Sequence, residues 1–466
     1  MKIYAIDTSF TSGQSFTIGV QPNSRFSLAI YRQENSQALS SFSGINIQAM
    51  SQATRRHIGK KCVIQSAGNS AAMRFDVDWN WPTITLAPSL VCPVSGVYVI
   101  VAYEVDADGN PTTNLGRRIV AGSPVYGYPP DSDNMALVIC RAPTQEASIA
   151  YVIPIATYHA YNSIGGGCFY DDHVHGTKSA TKVSLRRPGG GFGCQTGEPT
   201  DPYDRESQRQ QFTHWDAKFI RWLIAQNIAV DFYTDIDLHV GFLDRKNYKC
   251  MVSVGHHEYW SHEMRANVSR FIQNKGNVAV FSGNTCFRPI DFGARRTPGF
   301  MKEINKLADH WSSPDYNESQ LLGLSYGYGG GKWGDWIDGT WRNTTRDPIG
   351  YSVQQANHWV FTGTGLQNNQ TFGDTDRLVG YEADGVPIPG NGFNVLAKSP
   401  RLAGWDVGGV GVMGIFGTET AKKEGLVFNC GTTDWARVLL DSSAASNAIV
   451  SRITRNVLRA FTGQGL

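Results

Sequence analysis

The chain of 466 residues is 41% hydrophobic and 18% charged, with 50 Gly, 12 Trp, 19 Tyr and 22 Phe, a composition that supplies real cores for two or three domains and excludes a disordered chain or a coiled coil. Its 42 Lys and Arg against 40 Asp and Glu leave a formal charge of +2, so no whole-molecule field draws in nucleic acid or an anionic membrane. Apolar runs fall far short of the roughly 20 residues that span a bilayer, and the start carries no apolar h-region, so the expectation is a soluble, cytoplasmic protein.

Residues 15–20, 26–31, 60–64, 83–86, 96–105 and 135–141 are rich in Val, Ile, Phe, Tyr and Thr and read as short strands separated by turns. In the fifth, Val97, Val99 and Val101 line one face and Tyr98, Ile100 and Ala102 the other, so both faces are expected to be covered. Residues 1–146 are therefore read as a β-sandwich. From 147 to 466 the rhythm becomes strand, polar turn, helix. Apolar runs at 149–156, 228–233, 249–254, 278–281 and 426–428 suit buried parallel strands. Residues 212–227 and 261–274 carry apolar positions at helical spacing. The second part is read as an α/β domain with an open, mostly parallel sheet. Between residues 294 and 391 the pattern dissolves into Gly, Trp, Tyr, Asn and Asp, which reads as an insertion outside the sheet.

The eight cysteines are scattered singly, without a C-x-x-C pair, so they read as small buried hydrophobes rather than a zinc site or disulfide framework. Ligands of open α/β sheets bind beyond the carboxyl ends of strands, which directs attention to the polar residues there. Tyr158, His159, Tyr161 and Asn162 follow the first apolar run, and Asp235, Asp237 and His239 follow the second. Gly255-His256-His257-Glu258-Tyr259-Trp260 follows the third, Asn284 and Thr285 the fourth, and Thr432, Thr433 and Asp434 the fifth. The His-His-Glu-Tyr-Trp segment reads either as a metal or acid/base cluster or as groups that satisfy the backbone where a helix begins. His173 and His175 read as a solvated turn. Gly189 to Gly193 lacks the Lys and the helix of a phosphate loop and reads as a mobile loop.

Asn162 with Gly165-Gly166, the 184–188 segment, Asp235-Ile236-Asp237-Leu238-His239, Gly255 to Ser261, Ser282 to Cys286, Gly380-Tyr381-Glu382 and Gly431 to Trp435 together resemble the large subunit of N,N-dimethylformamidase and its relatives. The resemblance implies a β-sandwich joined to an α/β domain, and hydrolysis of a small amide at one iron held by two tyrosines and a glutamate. It implies Tyr259 and Glu382 as two of the ligands, hard oxygen donors suited to ferric iron. Where the family places its second tyrosine this chain has Phe300, which binds no metal; Tyr316, Tyr326 or Tyr328 serves instead, or the iron site is changed. The expected roles are His256, His257, Glu258 and Asp237 in catalysis, with Tyr161, Asn162 and Asn284 orienting the small-molecule substrate. The resemblance also implies a small partner chain, with a homo-oligomer as the other form of assembly. Two other functions stand beside this one: a different reaction on the same fold, or a non-catalytic ligand-binding or scaffold protein using Trp333, Trp336, Trp341 and Trp359.

Overall fold

In a computed structural model the described residues are 2–21, 26–33, 47–49, 74–86, 95–108, 110–113, 132–170, 180–193, 200–201, 204–245, 247–293, 301–311, 316–330, 335–337, 340–342, 349–386, 390–402, 409–419 and 424–465. The expected strand at 60–64, the 173–175 histidines, Trp333 and Phe300 lie outside them. Strands outweigh helices, and the two largest sheets mix parallel and antiparallel pairs. Two compact units emerge: one of residues 1–146, 155–240 and 290–307, the other of 147–154, 241–289 and 308–466. Among the described residues no helix is long and apolar enough to cross a membrane.

The first unit holds a three-stranded antiparallel sheet, Ile3–Ala5, Phe16–Val20 and Thr83–Leu86. It also holds a five-stranded sheet in the order Ser9–Thr11, Met135–Arg141, Gly96–Glu104, Phe26–Gln33, Ile47–Ala49. Ile3, Ile18 and Leu86 of the first sheet share one core with Phe26, Tyr98, Ile100, Ala102 and Val138 of the second. Val97, Val99 and Val101 are equally buried, so the expectation that both faces of this strand are covered is met. The Ile155–Tyr161 helix is fully buried, and no periodicity announces it because a helix without a wet face has no amphipathic stripe. Phe219, Ile220, Trp222 and Leu223 supply the buried face of the Asp216–Ala225 helix.

The second unit is organised by one sheet. Ile149–Ile153, Cys250–His256, Asn277–Gly283 and Val427–Asn429 run parallel in that order. The order continues through Val410–Phe416, Phe393–Arg401, Tyr351–Val353 and Thr371–Phe372, each antiparallel to its neighbour. The parallel half matches the apolar runs, and its strands are almost wholly buried. The His262–Gln273 helix provides the crossover between two of them, and Ser261 caps its first turn through Met264 N, 3.2 Å away. The antiparallel half corrects two expectations: the sheet is mixed rather than mostly parallel, and the stretch 294–391 supplies two of its strands. Tyr351–Val353 and Thr371–Phe372 form its edge, too short to leave a readable alternation.

A second piece of the expected insertion is also ordered: Ser325–Gly330 pairs antiparallel with Ala383–Gly385. Gly329 permits this approach, since a Cβ there would lie 1.9 Å from the Ala383 carbonyl oxygen.

Candidate active site

Parallel pairing of neighbouring strands brings His256 level with Gly283 and Val280 level with Asn429, so the loops after three strands open at one end of the sheet. Glu382 and Asp384 are drawn in from outside the parallel strands. Thr433 N donates to the Glu382 carbonyl (3.1 Å) and Asp384 N to the Gly431 carbonyl (3.0 Å). Gly283 makes room for this clamp, because a Cβ there would come within 2.6 Å of the Glu382 carbonyl and 2.7 Å of Thr433 N.

At the centre, His256 Nε2 lies 2.8 Å from Glu382 Oε2 and 3.4 Å from Glu258 Oε2. Asn284 Nδ2 donates to the same Glu382 oxygen at 3.2 Å and lies 3.2 Å from His256 Nε2. With the proton on Nε2, the two nitrogens are donors converging on one acceptor rather than partners of each other. Arg288 Nε donates to Glu258 Oε1 at 2.6 Å, a charge-assisted bond that compensates a carboxylate almost without exposure. Burial pushes His256 down, but the carboxylates of Glu382 and Glu258 outweigh it and its pKa stands above the ordinary value. Burial lifts the Asp384 carboxyl to about 8, and its Oδ1 accepts the Asn284 backbone N–H at 2.8 Å. That bond fixes Asn284 in the left-handed region, at φ 50°. Asn284 Oδ1 is buried without a hydrogen-bond partner among the described residues.

Of the expected site residues, His256, Glu258, Asn284 and Glu382 meet here. His257 does not share their contacts: its Nδ1 is 2.9 Å from Ser253 Oγ, its ring packs on Trp260, and burial holds its pKa down to about 3. Tyr259 is fully buried in the Tyr259–Ser261 strand. Asp237, in the first unit, is occupied with the fold. Its carboxylate accepts from Thr234 N (2.9 Å), Ser9 Oγ (2.9 Å) and Arg141 Nη1 (2.7 Å), closing a capping box. Asn162 spends its amide on the Pro188 carbonyl and the Ile164 N–H, and Tyr161 Oη meets Tyr170 Oη at 2.7 Å, all within the first unit. Gly189 to Gly193 is buried rather than mobile, and a Cβ at Gly190 would strike His159 Cε1 at 2.3 Å. Trp359 is held by Glu419 Oε1 at 2.7 Å and packs on Phe461. The cysteines at 140, 168, 250, 286 and 430 are free and buried, as expected.

Sequence reasoning misses Asp384, Arg288 and Glu318, and leaves Tyr326 among three alternatives. Tyr316 and Tyr328 are 43% and 45% exposed, whereas Tyr326 is 7% exposed. Burial first, then the charges of Glu382, Tyr381, Glu258 and Asp384, hold its phenol well above the usual range. The spacing of Glu382 and Asp384, two apart around an extended residue, is the one signal the sequence carries, since alternate residues of a strand share a face.

No three His, Cys, Asp or Glu side chains converge as a metal site among the described residues. The oxygen-rich set of Glu382, Asp384, Glu258 and Tyr326 nevertheless fits a hard cation. The charges of Glu382, Glu258 and Asp384 help hold the buried Tyr326 phenol up, and that of Glu382 helps raise the Asp384 carboxyl, a repulsion that a bound cation relieves.

The chain belongs to the family described as N,N-dimethylformamidase beta subunit-like, C-terminal, whose model matches residues 47–447. No curated protein matches the chain. Among solved structures it is similar to a β-galactosidase from Rahnella sp. R3, at 12% identity and a TM-score of 0.35, covering 68% of this chain and 31% of that one. It is also similar to a β-galactosidase from Bacillus circulans, at 12% identity and a TM-score of 0.29, covering 52% and 26%. A third is a ThuA-like protein from Bacteroides uniformis, at 11% identity and a TM-score of 0.30, covering 53% and 82%. The chain thus spans less than a third of the length of the β-galactosidases it matches.

Proposed function

We propose that the second unit hydrolyses the carbon–nitrogen bond of a small amide. The observation that carries this reading is the buried His256, bracketed by Glu382 and Glu258 at aligned strand ends, in a member of a dimethylformamidase-like family. On this reading residues 1–146 form a β-sandwich and residues 147–466 an α/β domain, in keeping with the two sheets that share a core and with the crossover helix. Glu382 and Tyr326, with Tyr259 as the family resemblance implies, would hold a ferric ion. When bound, the ion supplies Lewis acidity toward the amide carbonyl and toward water.

The chain's own residues do the rest. His256, kept protonated by its two carboxylates, gives its Nε2 proton to the departing nitrogen as the C–N bond breaks, a general-acid step. The oxygen of a water molecule takes the nitrogen's place on the carbonyl carbon, and the proton that this water releases restores His256. Arg288 prevents Glu258 from drawing that proton away by satisfying the carboxylate from the other side. Asn284 has one amide hydrogen on Glu382 and a carbonyl oxygen, without a partner among the described residues, left for a substrate N–H. Burial of His256, Glu258, Asn284 and Glu382 excludes bulk water and strengthens each interaction. His257, Asp237, Tyr161 and Asn162 carry supporting roles in the fold. Assembly with a small partner chain or a second copy is part of the same proposal.

The test is to incubate the purified protein with formamide, acetamide and N,N-dimethylformamide and measure released amine, with iron content and mass determined on the same preparation. Turnover lost in His256→Asn and Glu382→Gln, together with near-stoichiometric iron and a phenolate-to-iron band lost in Tyr326→Phe, supports the reading. A metal-free preparation that releases no amine from any of the three ends it.

A further inference from the structure

One buried carboxylate beside the site takes no part in this scheme. Glu318 is 2% exposed at the start of the Ser319–Leu322 helix. Its Oε1 accepts from Ser325 Oγ, and that hydroxyl in turn accepts from Gly327 N at 3.2 Å. Ser325 opens the Ser325–Gly330 strand, which is registered on Ala383–Gly385 through Ser325 against Gly385 and Gly330 against Ala383, with an irregularity between. Tyr326 lies within that irregular stretch, buried and edge-on to Phe287 at 5.3 Å.

An irregular strand rich in glycine does not choose its own register, because it lacks the side-chain alternation that penalises slippage. Something else must set which residue faces Glu382. We propose that Glu318 is a positioning residue: through Ser325 Oγ and Gly327 N–H it locks the register of the strand, and thereby stands the Tyr326 phenol beside Glu382. This rests on the reading of Glu382 and Tyr326 as the working site.

Two further observations agree with it. Burial lifts the Glu318 carboxyl to about 7, while hydrogen bonds from Ser325 and from the Tyr326 backbone N–H pull against that rise, so the carboxylate grips both ends of the Ser325–Tyr326 unit. On the other side, Arg265 Nη2 donates to the Asn317 carbonyl at 3.0 Å, and its guanidinium lies 4.5 Å from the Trp311 ring centroid and 4.3 Å from that of Tyr316. The residue before Glu318 is therefore anchored to the His262–Gln273 helix, which gives the latch a fixed base. A carboxylate that takes two donors defines position better than an apolar side chain could.

The experiment places 3-fluorotyrosine at position 326 in the full chain and reads its fluorine resonance alongside amide hydrolysis. Glu318→Ala and Ser325→Ala each move or broaden the resonance. Each lowers kcat about tenfold, with KM within about twofold, since misplacing a working group acts on the reacting geometry. The double variant is no worse than Glu318→Ala, because both substitutions open one latch. Glu318→Gln keeps an acceptor for Ser325 and stays within about threefold of the parent in kcat, with the resonance in place. A folded Glu318→Ala protein with an unmoved resonance overturns the proposal, as does a Glu318→Gln protein shifted as far as the alanine variant, or effects that multiply in the double variant. If the parent hydrolyses no amide, the proposed function falls, while the resonance of the same four variants still decides the role of Glu318.

Discussion

Replacing His159 by glutamine isolates the energetic consequence of burying a neutral imidazole. His159 is 1% exposed; burial first, then the Arg187 guanidinium, hold its pKa down to about 3. In the unfolded chain the value is about 6.5. The folded pKa is the depressed one, so its contribution to stability is complete above the unfolded value. It is lost as pH falls from about 6.5 toward 3, where only the unfolded chain binds the proton. By linkage the loss is negligible at pH 7.5, about 1.4 kcal/mol at pH 5.5 and roughly 2 kcal/mol at pH 5. Asp384 and Glu318, with raised pKa values, tilt the whole curve the other way, which makes the parent's pH profile alone uninformative. Those contributions are common to both chains and cancel in the difference. Urea unfolding followed by tryptophan fluorescence, with Trp79, Trp81, Trp215 and Trp222 all buried in the same unit, measures that difference at pH 7.5 and 5. His159→Gln is the less stable chain at pH 7.5, and the gap narrows by about 2 kcal/mol at pH 5. A gap that stays constant to within about 0.5 kcal/mol refutes the neutral, sealed histidine.

Further outcomes follow from the same contacts. Arg288→Met removes the guanidinium from the Glu258 carboxylate, at 1% side-chain exposure, and costs roughly 2 kcal/mol in urea unfolding, because the carboxylate stays buried with less compensation. Gly283→Ala forces a Cβ to within 2.6 Å of the Glu382 carbonyl and separates it from Thr433; amide turnover falls at least about tenfold, and turnover equal to the parent's contradicts the clamp. Asp237→Asn weakens the pairing with Arg141 and the capping box, lowering stability by roughly 1–2 kcal/mol while kcat remains that of the parent. The raised pKa of His256 means its charged form is present below that value and is lost as pH rises through it. The pH–rate profile therefore falls on an alkaline limb displaced above the ordinary histidine range, and a limb on the acid side instead removes His256 as the proton donor.

Half of the candidate site is legible in the amino-acid sequence. His256 and Glu258 stand out because a buried apolar run breaks at Gly255 into titratable groups, and Asn284 because the next run ends the same way. Glu382 stands out only through the resemblance. Asp237 and Asn162 carry the same local signature and spend their polar atoms on neighbouring backbone and side chains, since a carboxylate or amide at a strand end serves a cap as readily as a ligand. Asp384, Arg288 and Glu318 have little or no signature: a lone charged residue in a glycine-rich stretch reads as solvated until its partner is known.

The order of elements in the parallel half of the sheet, and the absence of a membrane-spanning helix among the described residues, follow from local properties of the chain. Run length, periodicity and capping act over a few residues and survive in the sequence. The antiparallel half of the sheet, the splitting of the first unit across three stretches of chain, and the meeting of His256 with Glu382 are decided by tertiary structure. Each rests on close approach between segments far apart in sequence, such as the Gly329 backbone against Ala383 or the Glu382 carbonyl against Thr433. Glycine admits such contacts without specifying them, so only the packed fold shows which residues it brings together.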